Sequence, residues 1–263
     1  MFSDWDHRLH QEIVDFYEYV KPRDFEDRVR QNLIDRIQGV VRLKYPHLLI
    51  YAFGSFASGL YLPTADMDLV ALSPSFEKYG AASFGTKQRD MWDFARELER
   101  AGIIKPGSLT VIPKAKVPIV KFVERITGLR VDISFENDSG LIALRTFDVW
   151  KERYPAMPII VSLIKQFLVM RDLSEVVNGG IGGFTVVCLV VNVIHQLEAS
   201  KKAVGDLDWR ARNNLDMVLL QFLKTYGMNF NLKHTGLNMI KMTNVNKVRR
   251  LRMALLLTLV LTT

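Results

Sequence analysis

Residue 140 separates two stretches whose hydrophobic patterns demand different architectures. Before Gly140, short strand-like apolar runs alternate with longer helical stripes; after it, only helical spacing remains. The strand-like runs lie at 48–53, 69–72, 109–112, 117–124 and 129–136. In the last of these, Val131, Ile133 and Phe135 alternate with Asp132 and Ser134, the period-2 pattern of a half-buried strand. Helical spacing is carried by Leu9, Ile13, Phe16 and Val20, stopped by Pro22, and then by Phe25, Val29, Leu33, Ile37 and Val40, ending near Tyr45-Pro46. A polar, Gly-containing stretch at 75–85 reads as a loop, followed by a charged helix over 86–101. Beyond Gly140 the spacing predicts helices at 141–153, 158–171, 184–197 and 213–226. The pattern implies an α/β sheet domain followed by an all-α domain, with a border near Gly140. Residues 231–263 remain as a basic, then apolar, tail with no helical stripe to pair with a core.

Composition narrows the class without naming it. A chain of 263 residues with 49% hydrophobic content can fill two cores. The net charge of +7 is unevenly placed: residues 1–200 hold 24 Lys and Arg against 25 Asp and Glu, and the remainder holds 11 against 3. A broad basic surface for nucleic acid is therefore not a property of the first three quarters of the chain. The single cysteine, Cys188, excludes an intramolecular disulfide and fits a reducing compartment. The first residues are acidic and do not read as a secretory signal. The longest apolar runs, 186–194 and the segment from 253 onward, fall short of the roughly 20 residues of a membrane-spanning helix, so no membrane association is expected.

The chemistry is concentrated in one stretch. Asp66 and Asp68 are two apart at the mouth of an apolar strand, so their carboxylates leave the same face. Two adjacent acids repel, and divalent cations, which prefer hard oxygen ligands, are the readiest way to hold them together. Upstream, Gly54-Ser55 closes the preceding strand in a turn where the backbone can approach an anion and the serine can donate to it. A third acid, Asp132, lies on the polar side of the alternating strand. Three carboxylates can hold two ions about 3.5–4 Å apart, the arrangement used for nucleotidyl transfer. Each feature alone is ordinary: a solvated Asp-x-Asp loop, a Gly-Ser turn, an acid guarding a strand edge. Their order on these elements points to catalysis. The five histidines show no metal-ligand spacing, so no zinc site is expected.

These residues resemble the nuclear non-canonical poly(A) polymerases of the topoisomerase-related-function family, within the polymerase-β nucleotidyltransferase superfamily. The resemblance runs from about residue 9 to 230. It is carried by Phe53-Gly54-Ser55, Leu60-Tyr61-Leu62-Pro63 and Asp66-Met67-Asp68, with the segments 115–122 and 131–135, Lys165-Gln166-Phe167-Leu168 and the glycine-rich run 179–185. It implies a polymerase-β-like mixed-sheet domain at 22–140, followed by a helical domain that takes in 1–21 and 141–230. Asp66, Asp68 and Asp132 would be the catalytic and metal-binding acids, with two Mg²⁺ or Mn²⁺ and ATP as substrate. Ser55 and Gly54 would meet the triphosphate, as would Lys165, which on its own reads as a solvated lysine. Phe184 would stack on the base, although by itself it reads equally well as a core phenylalanine. The implied reaction adds AMP to an RNA 3′ end in the nucleus or nucleolus. The implied partners are a zinc-knuckle RNA-binding protein and an RNA helicase of the TRAMP complex.

The sequence departs from that family in three places. Ala65 stands where a serine is usual, and Ser139-Gly140 where Asn-Gly is usual. After Asn229-Phe230 the acidic-Asp-Pro, Asn-rich segment that helps select the base is missing, so the chain reads as C-terminally truncated. Terminal uridylyl transfer uses the same acids and stands as an alternative. So does a catalytically inactive scaffold.

Overall fold

In the computed structural model, residues 4–231, 234–239 and 242–246 are described. The chain forms two compact units: residues 22–145, and the described parts of 1–21 and 146–263. The division falls inside a helix, between Arg145 and Thr146, a little beyond the expected border at Gly140.

Helix α1 (Asp4–Val20) ends just before Pro22, and α2 (Asp24–Lys44) opens the sheet-containing unit. The backbone N–H of Arg23 donates to the Glu26 carboxylate at 3.0 Å, and Asp24, Glu26 and Asp27 occupy the first turn. Acids at the positive end of the helix dipole favour starting the helix there. The buried face of α2 is Arg30, Leu33, Ile34, Ile37 and Val41, whereas Phe25 and Val29 are exposed. The helix is thus rotated from the face expected from the sequence. A stripe that includes a charged residue is invisible to a search for apolar periodicity.

The strands follow: β1 (Leu49–Phe53), a single helical turn α3 (Gly54–Ala57), β2 (Met67–Leu72), α4 (Pro74–Tyr79) and α5 (Gln88–Arg100). Then come β3 (Thr110–Ile112), β4 (Ile119–Val123) and β5 (Arg130–Phe135). Their order in the sheet is β1-β2-β5-β4-β3; β2 and β5 run parallel and the other neighbours antiparallel. Within this unit Met67, Leu69, Val131 and Ile133 share one core with Leu33 and Ile37 of α2 and with Met91, Phe94 and Leu98 of α5. The stretch expected as a loop at 75–85 contains α4. Ser73 accepts from the Phe76 N–H at 3.3 Å, Pro74 starts the helix, and Gly80 at φ 66° ends it. Six residues are too few to show a helical period, so only these caps mark it.

The second unit is helical. It contains α1, the end of α6 (Ser139–Arg153), α7 (Met157–Met170), α8 (Gly183–Ala203) and α9 (Leu215–Lys224). Helices α1, α7, α8 and α9 pack on one another, and the His10 ring accepts the Leu215 N–H at 3.3 Å. Helix α8 is longer than expected, 21 residues, and by length and composition could cross a membrane. All its residues from 186 to 194 are nevertheless buried inside this unit, Asn192 included, where the amide donates to the Tyr226 hydroxyl at 3.0 Å. Burial pushes the Cys188 thiol up to about 12, so it is an inert part of that core. Within the expected tail, β6 (Thr235–Asn238) and β7 (Thr243–Asn246) form an antiparallel hairpin. The rest of the basic and apolar tail, 247–263, lies outside the described residues.

Candidate active site

Strand register brings the acids together. Asp68 of β2 is paired with Asp132 of β5, and Phe53, the last residue of β1, is paired with Asp68 from the other side. Neighbouring strands run about 4.8 Å apart, and paired residues leave the same face of the sheet. The residues flanking each acid, Met67 and Leu69, Val131 and Ile133, are fully buried in the core, so Asp68 and Asp132 are directed away from it. Asp66 immediately precedes β2 with the same parity as Asp68.

The Gly54-Ser55 turn lies against the same strand end. Gly54 has φ +67°, and a Cβ there would collide with the Asp68 carboxylate. Only glycine allows the chain to leave β1 in this conformation so close to that acid. The segment continues as α3, which places Ser55 in a first helical turn rather than in the simple turn expected. The Ser55 carbonyl accepts from the Ser58 hydroxyl and from the Leu60 N–H, each at 3.0 Å.

Two cations answer the acids. The Arg130 guanidinium donates to Asp66 Oδ1 at 2.5 Å and to the Thr64 carbonyl at 3.4 Å. Lys121 of β4, the register partner of Asp132, lies 2.9 Å from Asp132 Oδ2. Among the described residues, no three His, Cys, Asp or Glu side chains stand close enough together to hold a metal ion as they are. The backbone therefore brings the three acids to one sheet end, while the carboxylates of Asp66 and Asp132 turn toward cations rather than toward one another. That is the arrangement expected of crowded acids whose charge must be balanced. Both cations are well exposed, 63% for Arg130 and 42% for Lys121, and can swing away without uncovering a core. The donors are all hard carboxylate oxygens, brought to one sheet end by the strand register, so these residues fit Mg²⁺ or Mn²⁺.

The loop before Asp66 is gripped by α2. The Tyr61 hydroxyl donates to Asp27 Oδ1 at 2.7 Å, and the buried Arg30 donates to the Pro63 carbonyl at 3.2 Å and the Ala65 carbonyl at 3.1 Å. Sequence reasoning missed Arg30, Lys121 and Arg130. The only available signal for Arg30 was a charge at an apolar stripe position.

Lys165 and Phe184 belong to the helical unit. The Lys165 ammonium lies beside the first turn of α8, 3.5 Å from where a Cβ on Gly183 would stand. Gly183 carries no side chain of its own there, so the ammonium stands close to the backbone at the positive end of the helix. Phe184 is half-buried, its ring 5.3 Å from that of Phe147 at 34°, so one face is already taken by an aromatic neighbour. Gly140, in the sheet unit, lies against the Phe53 ring, where any side chain would clash.

A family model described as "Poly(A) RNA polymerase, mitochondrial-like, central palm domain" matches residues 9–152. The chain is 38% identical over 229 residues to "Poly(A) RNA polymerase cid14" of Schizosaccharomyces pombe, covering 87% of this chain and 32% of that protein. It is 31% identical over 249 residues to "Inactive non-canonical poly(A) RNA polymerase protein Trf4-2" of Drosophila melanogaster, covering 94% and 58%. It thus spans about a third of the length of curated relatives such as cid14. Among solved structures, the "polymerase core of TRAMP, a RNA surveillance complex" superposes with a TM-score of 0.77 at 30% identity, covering 93% of this chain and 71% of that one. The Cid1 poly(U) polymerase bound to MgATP gives 0.72 at 17% identity, covering 88% and 77%, a likeness of fold alone.

Proposed function

This chain belongs to the non-canonical poly(A) RNA polymerases, and from that premise we propose that it transfers AMP from ATP to the 3′-hydroxyl of RNA. The observation that carries the reading is the strand register that sets Asp68 beside Asp132, with Asp66 and Gly54 at the same sheet end. Asp66, Asp68 and Asp132 would hold two Mg²⁺ or Mn²⁺. When bound, such ions supply a more acidic attacking hydroxyl and charge neutralisation for the leaving pyrophosphate. The 3′-oxygen bonds to the α-phosphorus, the bond to pyrophosphate breaks, and the hydroxyl proton passes to the Asp132 carboxylate or to water. Ser55 and Lys165 are the proposed triphosphate contacts and Phe184 the proposed base-stacking surface. For the first of these, support comes from the glycine turn beside Asp68; for the second, from the cation at the start of α8.

Adenylyl transfer is preferred to uridylyl transfer because the relatives at 30% identity or above are named poly(A) polymerases, whereas the poly(U) enzyme shares only the fold. The inactive reading has one observation behind it, the Drosophila relative that is named inactive. The nucleus is the proposed location. A zinc-knuckle RNA-binding protein and an RNA helicase are the proposed partners, supported by the TRAMP likeness and by the scarcity of excess positive charge in residues 1–200.

Extension of a short labelled RNA with each nucleotide, in Mg²⁺ or Mn²⁺, tests this directly. The expected result is ATP-dependent lengthening that falls by at least about 1000-fold in the Asp66→Ala/Asp68→Ala double variant. Lengthening that survives in the double variant removes the acids from the chemistry. Faster extension with UTP assigns the chain to uridylyl transfer, and no extension even with partner proteins assigns it to the inactive class.

A further inference from the structure

Arg30 occupies a position that a helix face like that of α2 would ordinarily give to an aliphatic residue. It is 2% exposed, on the stripe it shares with Leu33, Ile34, Ile37 and Val41. Taking a guanidinium out of water is costly, and replacing such a group with an apolar one often stabilises a protein. What Arg30 touches accounts for its presence. Its two terminal nitrogens reach two main-chain carbonyls, Pro63 and Ala65, and its central carbon lies over the Tyr61 ring, 4.6 Å from the centroid, and 5.9 Å from that of Phe56. Burial pulls its pKa down, and the field of Tyr61, Glu26, Asp27 and Asp66 acts against that.

Both hydrogen bonds and the closer ring contact are to the segment that delivers the first acid. The Ala65 carbonyl belongs to the peptide group whose nitrogen is that of Asp66, so fixing that oxygen fixes the peptide plane from which the Asp66 side chain departs. The segment needs fixing: Pro63 and Thr64 are exposed, and Arg130 pulls on Thr64 and Asp66 from the solvent side. Asp27, one turn before Arg30 on α2, holds the same segment through the Tyr61 hydroxyl. Lysine could not replace this fork, because a single ammonium cannot match the spacing of two carbonyls as a planar guanidinium does.

We propose that Arg30 is a positioning residue that sets Asp66 for a divalent ion by clamping the carbonyls of Pro63 and Ala65. This rests on the reading of Asp66, Asp68 and Asp132 as metal ligands. The test is direct Mn²⁺ binding by the full chain, followed by electron paramagnetic resonance and calorimetry, with thermal melts as the check on folding. Arg30→Met, which keeps the apolar stem, is expected to weaken Mn²⁺ binding by about 10-fold, the usual scale for groups that orient a ligand. Arg30→Lys is expected to fall between wild type and Arg30→Met, and is the variant to use if Arg30→Met does not fold. The decisive measurement is a double-mutant cycle. Adding Arg30→Met to Asp66→Asn should cost little more than Asp66→Asn alone, whereas adding it to Asp132→Asn should cost its full 10-fold. Unchanged affinity in a folded Arg30 variant, or an equal added loss on both backgrounds, overturns the proposal. Wild-type binding that is insensitive to both Asp66→Asn and Asp132→Asn instead overturns the metal-ligand reading on which it rests.

Discussion

Gly54 is the residue at which backbone and chemistry constrain each other most closely. Its φ of +67° strains any other side chain, and the added carbon would push the Asp68 carboxylate aside. Gly54→Ala is therefore expected to lower RNA extension by about 100-fold or more while reducing stability by only about 1–3 kcal/mol. Extension assays beside thermal melts check this, and a folded Gly54→Ala chain with wild-type activity would show that the approach to Asp68 is irrelevant. At this scale the sequence was informative wherever a residue type alone implied a need: paired acids, a glycine at a strand end. It was silent on Lys121, Arg130 and Arg30. Their roles arise from cross-strand register and from contacts between segments far apart in the chain, which one sequence does not display.

Among the elements, the β4–β5 turn carries the most exposed prediction. Glu124 is fully buried, paired with Arg36 at 3.0 Å, and receives the backbone N–H and hydroxyl of Thr127, each at 2.6 Å. Burial pushes its pKa up, but the hydrogen bonds from Thr127, Ile126 and Arg36 outweigh that and hold it below 4.5. A carboxyl depressed in the folded state contributes stability above its ordinary pKa and loses it as the pH falls through the folded value. Glu124→Gln is thus expected to cost about 2 kcal/mol at neutral pH, with the difference from wild type shrinking at pH values below 4.5. Denaturant unfolding at pH 7 and pH 3 measures both. The elements themselves were largely readable, because long stripes and alternating runs have a period. Helices α3 and α4 were not, being shorter than any period that could reveal them. The face of α2 was misjudged because its buried stripe contains Arg30.

For the molecule as a whole, the sequence correctly separated a mixed sheet from a set of helices, since helices alone fill the stretch from Ser139 to Lys224, and strands return only in the β6–β7 pair that the sequence did not reveal. Charge is the whole-chain property with a measurable consequence. Lys247, Arg249, Arg250 and Arg252 form a basic cluster in a chain whose first 200 residues are almost neutral. Replacing those four residues with glutamine is expected to reduce the slope of log affinity against log salt for single-stranded RNA by up to about 3. An unchanged slope would assign RNA contact to the preceding residues.

The single parallel pairing among the described residues, β2 with β5, has a bearing on how the protein is made. Parallel neighbours cannot be joined by a hairpin, and here α4, α5, β3 and β4 all intervene. A growing chain presents Asp66 and Asp68 long before Asp132 emerges from the ribosome. Closing such a distant contact is among the slower events of folding, so Asp68 and Asp132 become neighbours only when the central sheet is complete.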